Sequence, residues 1–95
     1  MRLKPEIIQF IREQARQLFP GVRIYLFGSR LSDRTKGGDI DICLLSEERI
    51  DKKQLRIFRR EFYKRFGWQK IDLVNFTHTD QSAFKQLIMS EAEPL

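Results

Sequence analysis

Three aspartates, Asp39, Asp41 and Asp72, each stand among apolar residues, in the stretches DIDICLL and QKIDLVN. An ionised carboxylate inside an apolar strand is costly unless something compensates it. Residues two apart on a strand share a face, with a rise of about 3.3 Å per residue, so Asp39 and Asp41 point the same way about 7 Å apart. A third carboxylate from a neighbouring strand would complete a cluster that repels itself until a cation enters. Magnesium is the natural ion: it takes oxygen ligands and is usually held by one or two carboxylates together with substrate phosphates. The chemistry to expect is therefore that of a phosphate-bearing substrate.

The segment before these acids suits such a substrate. Gly28 and Ser29 follow directly on Val22–Phe27, a short β-branched and aromatic run that reads as a strand over 22–27. A glycine there lets phosphate approach the backbone, the Ser29 hydroxyl can donate to it, and a helix starting after Ser29 would add its positive end. Arg30, Arg34 and Lys36 bring positive charge into the same loop, GSRLSDRTKGG, which spans 28–38; Arg30 is the best placed of the three.

The elements that must position these groups follow from periodicity. Pro5 opens a helix over about 5–19, with Ile7, Ile8, Ile11, Ala15, Leu18 and Phe19 at spacings of three and four before Pro20 and Gly21. Ile7, Ile8, Phe10 and Ile11 point to more than one side of it, so some are expected to remain exposed as a docking patch. Residues 39–45 read as a second strand, with Ile40, Ile42 and Leu44 opposite the acids and Cys43. Asp51 caps a helix whose stripe of Leu55, Phe58, Phe62 and Phe66 ends at Gly67. Residues 69–75 read as a third strand, and Thr79 or Asp80 starts a last helix carrying Phe84, Leu87 and Ile88. The expected fold class is α/β: a small mixed sheet of about three strands flanked by helices, forming one domain over 1–95.

With these residues in place, GSR followed by GGDIDI and then IDLVNF resembles the minimal nucleotidyltransferases (MNT proteins) of the DNA polymerase beta-like superfamily. The pattern of that family is a Gly-Ser ending the first strand, an Asp-x-Asp on the second and a further acid on a later strand. Positions 28, 29, 39, 41 and 72 match it in order. The resemblance implies two magnesium ions held by Asp39 and Asp41, and a nucleotide triphosphate gripped near Gly28, Ser29 and Arg30. Asp72 would bind the catalytic metal and help to activate an attacking hydroxyl. It implies transfer of AMP from ATP, with pyrophosphate leaving. It further implies a partner, a helical HEPN ribonuclease toxin that such short proteins neutralise as antitoxins, by forming a complex and by AMP transfer to a tyrosine. Two alternatives remain open: a binding module that neutralises its partner by contact alone, and a nucleotidyltransferase acting on RNA or on a small molecule.

Composition narrows the rest. Eighteen Lys and Arg against thirteen Asp and Glu give a net charge of +5, which favours anionic partners. Nine of those cations and two acids fall between Arg49 and Lys70, so the helix over 51–66 carries a basic face open to nucleic acid or to an acidic protein. No apolar run approaches the roughly 18 residues of a membrane span, and acid and amide interrupt the apolar positions of MRLKPEIIQF, unlike a secretory signal. One cysteine excludes an internal disulfide and agrees with a reducing compartment, so a cytoplasmic address is expected. Cys43 has no histidine beside it in the sequence and is expected to be inert, His78 reads as a solvated loop residue, and Trp68 and the Phe stripe read as core.

Overall fold

The computed structural model describes residues 3–28 and 38–95. The elements run α1 (Pro5–Leu18), β1 (Arg23–Phe27), β2 (Ile40–Ser46), α2 (Lys52–Phe66), β3 (Ile71–Thr77), α3 (Ala83–Glu91) and β4 (Glu93–Pro94). The strands form one mixed sheet in the order β3-β2-β1-β4. It has four strands where the sequence indicates about three. β1 and β2 pair antiparallel, whereas β2 and β3 are parallel. A parallel pair needs a crossover, and α2 supplies it.

Alternation along the strands divides the core between the two faces of the sheet. Ile40, Ile42 and Leu44 turn to one face and pack with Ile7, Ile11 and Ala15 of α1 and Phe58 and Phe62 of α2. Cys43 and Leu45 turn to the other, where they meet Phe76 and Ile88 under α3. The result is three layers: a helix pair, the sheet, and one short helix.

The expected elements hold, with shifted bounds. Pro5 stands in the first turn of α1, and the Asp51 carboxylate accepts the Lys53 backbone N–H at 3.0 Å, capping α2. β3 starts two residues later than the sequence suggests and runs through Asn75 to Thr77. α3 begins at Ala83 and not near Thr79, because Ser82 accepts from Lys85 N as its cap while the Asp80 side chain accepts from Ser82 N in the preceding turn.

Three apolar groups lie elsewhere than expected. Ile7 and Ile11 are buried, and Phe10 is partly covered by edge contacts to Phe62 and Phe66, so the expected patch on α1 shrinks to its margin. Trp68 is not core. The helix ends before it, and the residue is 71% exposed with the Lys4 ammonium 5.5 Å from the centre of its ring. Phe84 and Leu87 are exposed as well, since α3 buries only Ile88 fully against the sheet. Among the described residues no helix is long and apolar enough to cross a membrane.

Candidate active site

The site lies where β1 ends and β2 and β3 begin. In the parallel register Asp41 is level with Asp72, and in the antiparallel register it is level with Phe27. Because Cys43 and Leu45 face α3, Asp41 faces the same side by alternation, as Asp72 does by its spacing from Val74 and Phe76. The nine residues of α3 leave this end of the face open: Asp41 is half-buried and Asp72, on the edge strand, is exposed.

Electrostatics follow the placement. The Asp41 carboxyl titrates above its ordinary range, first because burial disfavours its charged form and then because Asp72 and Asp39 repel it. Asp41 thus stands between two like charges, the arrangement a bound cation relieves.

Asp39 lies one residue ahead of β2, not within it. Its Oδ2 is 3.6 Å from Lys70 Nζ. Among the described residues no three His, Cys, Asp or Glu side chains are placed to hold a metal ion, so the three acids do not close into the cluster that their sequence positions suggest. The donor set still fits magnesium, which needs only one or two carboxylates when substrate phosphates complete its shell. Asp41 and Asp72, level across β2 and β3, could hold it, and the Asp39 carboxylate lies against the Lys70 ammonium.

Gly28 closes the site from β1. Its φ is +78°, in the region that favours glycine, and a Cβ there would overlap the Asp41 carboxylate. The group that Gly28 approaches here is an acid of the site and not the phosphate that its sequence position suggests. Ser29, Arg30, Arg34 and Lys36 fall outside the described residues.

Two residues that sequence reasoning passed over support the rim. Gln69, a buried polar side chain, donates through Nε2 to Gly38 O at 2.7 Å and to Lys70 O at 3.2 Å. Ile40 N donates to the same Lys70 carbonyl at 3.0 Å. The residues just before the acids are thereby tied to the start of β3. A lone Gln carries no sequence signal for such a role.

Cys43, two positions beyond Asp41, is fully buried, and burial pushes its thiol up to about 11 despite the opposing influence of Lys85. Reaction needs thiolate, so a thiol reagent near neutral pH is expected to label Cys43 only after denaturation. Labelling of the folded chain at the rate of free cysteine would contradict this burial. His78 is exposed in the turn after β3.

The comparisons agree with this architecture. No curated protein matches the chain. Among solved structures it is similar to a chain in the complex of a tri-AMPylated Shewanella oneidensis HEPN toxin with an MNT antitoxin, at 20% identity and a TM-score of 0.72 over 97% of this chain and 71% of that one. It is similar to a chain of a toxin–antitoxin complex with AMP-PNP, at 22% identity and a TM-score of 0.73 over 90% and 69%. A mutant MntA-HpeT toxin–antitoxin complex gives 21% identity and a TM-score of 0.70 over 90% and 69%. At these identities the likeness establishes the fold. The model of the nucleotidyltransferase domain matches residues 8–94, nearly the whole chain, and the chain therefore belongs to the nucleotidyltransferase domain family.

Proposed function

We propose that this nucleotidyltransferase moves AMP from magnesium-bound ATP onto a hydroxyl, that of a tyrosine of a HEPN ribonuclease toxin, and so acts as the antitoxin of that toxin in the cytoplasm. The observation that carries the reading is the direct register of Asp41 with Asp72, closed from β1 by a glycine that leaves room only for the Asp41 carboxylate. The resemblance to complexes of an AMPylated HEPN toxin and of AMP-PNP supports the acceptor and the nucleotide.

Asp41 and Asp72, with Asp39 once it leaves Lys70, would hold the metal. When bound, magnesium would neutralise the triphosphate and stabilise the charge that builds on it during transfer. The chain's own residues orient and exchange the proton. Gly28 keeps the backbone close to the acids, and Ser29 and Arg30, which follow it in sequence, are the proposed contacts to the triphosphate. Asp72, exposed on the edge strand, is where an incoming hydroxyl gives up its proton. The acceptor oxygen bonds to the α-phosphorus, the bond from that phosphorus to the bridging oxygen breaks, and pyrophosphate leaves.

The test is to incubate the chain and its HEPN partner with magnesium and ATP labelled at the α- or the γ-phosphate. Protein-bound label from α and none from γ is expected, on the toxin and on a tyrosine by mass spectrometry. Label from γ would make the protein a kinase. No label from either position, with a stable complex still formed, would leave neutralisation by contact alone.

A further inference from the structure

The outer face of α2 takes no part in the site described above. Lys53, Arg56, Arg60 and Lys64 recur at steps of three and four and so form one row, about 16 Å long at 1.5 Å per residue. With Ile57 and Tyr63 they line an open groove of about 900 Å³. The helix holds seven Lys and Arg and a single acid, Glu61, which lies 3.4 Å from both Arg60 and Lys64.

This distribution costs the helix stability. Like charges three and four residues apart repel, and Lys52 and Lys53 occupy a first turn without an acid, where the positive end of the helix dipole disfavours cations. A solubilising face would interleave acids and place its cations toward the C-terminus. A row of four cations facing a single acid suits a polymer with a regular row of negative charges.

Aromatic rings accompany the row. Tyr63 lies in the groove, 38% exposed, and its hydroxyl donates to Ile71 O at 3.3 Å. Trp68, just beyond the end of the helix, is more exposed still. Cations that track a backbone beside exposed rings are the combination that binds single-stranded nucleic acid, because every base offers a face to stack. An acidic protein surface would answer the charge and leave the rings unused. The triphosphate does not account for the groove, since α2 packs on the sheet face opposite Asp41.

We propose that the groove on the outer face of α2 binds a single-stranded nucleic acid, with Arg56, Arg60 and Lys64 on successive phosphates and Tyr63 stacking on a base. The site is independent of AMP transfer and stands or falls separately from it.

The test is fluorescence anisotropy of a labelled single-stranded RNA of about a dozen nucleotides, within the range of known site sizes, titrated with the full chain at several salt concentrations. Replacing Arg56, Arg60 and Lys64 together by Ala, all on the exposed helix surface, should weaken binding at least tenfold. Three lost phosphate contacts, at about 0.7 each for single strands, should lower the slope of log K against log salt by about 2. Tyr63→Leu should weaken binding while leaving that slope in place. Circular dichroism of each variant guards against an unfolded chain. No binding by the unmodified chain at low salt, or undiminished binding by the triple variant, overturns the proposal. Polyglutamate that competes as well as RNA would reassign the groove to an acidic protein, and tighter binding of a duplex of equal length would overturn the single-strand assignment.

Discussion

Asp41→Asn is expected to abolish AMP transfer to the toxin and, in the same protein, to raise stability. Loss of one preorganised charged group at such a site lowers the rate by about 10²- to 10³-fold, and Asp41 is the acid flanked by both others. The effect on the fold has the opposite sign. The Asp41 carboxyl is raised above its ordinary value of 3.8 by burial and by its two neighbours, so the folded chain binds that proton more tightly than the unfolded chain does. Its contribution is fully present below 3.8 and is lost as pH rises through the raised value. At neutral pH the wild-type chain carries this repulsion and the Asn variant does not. A higher Tm should be seen without metal, and the difference should vanish below 3.8. A variant less stable than wild type at neutral pH, or one that still transfers AMP at the wild-type rate, would remove Asp41 from the role given to it.

Gly28→Ala should damage both fold and reaction. At φ +78° a side chain costs about 1–3 kcal/mol in backbone strain alone, and here the added methyl also overlaps the Asp41 carboxylate. Displacing that carboxylate by about 1 Å is enough to lower the rate by about 10²-fold. Gly21 is the internal control: its φ is +86°, yet a Cβ there meets nothing within 4 Å. Gly21→Ala should lower the melting temperature and leave transfer intact. Equal loss of transfer in both variants would show that strain, and not contact with the acid, explains the effect at Gly28.

Periodicity made the framework readable wherever an element buries one clear face. The alternation Ile40, Ile42, Leu44 and the stripe Leu55, Phe58, Phe62, Phe66 announced β2 and α2, and both formed. β4 had no such signal, since two residues, Glu93 and Pro94, have no period; Leu95 N bonding to Ile24 O at 2.9 Å marks its place. The end of β3 was hidden by Asn75, a poor strand former by type. Its amide is used by neighbours distant in sequence, donating to Leu44 O and Ser46 Oγ and accepting from Ile50 N. Trp68 misled because ring size argues for burial while position, just past the end of α2, decided exposure. At the site, strand parity related Asp39 to Asp41 and left Asp72 only as an acid on a neighbouring strand. That Asp41 and Asp72 stand level depends on the pairing register of β3, and the contact of Asp39 with Lys70 depends on where β2 starts, which tertiary packing sets.

The parallel pairing of β2 with β3 also governs when the chain becomes competent. No tight turn can join parallel strands, so Asp41 and Asp72 cannot meet until the chain from Glu47 to Lys70 has folded back through α2. The antiparallel pairing of β1 with β2 joins segments closer in sequence and can form earlier, bringing Gly28 to Asp41 with the second acid still absent. A nascent chain emerging from the ribosome would thus hold half a site for as long as β3 is unmade. Catalysis in this small protein is timed by a non-local contact and not by its hairpin, and the onset of transfer during refolding reads out the pairing of β2 with β3.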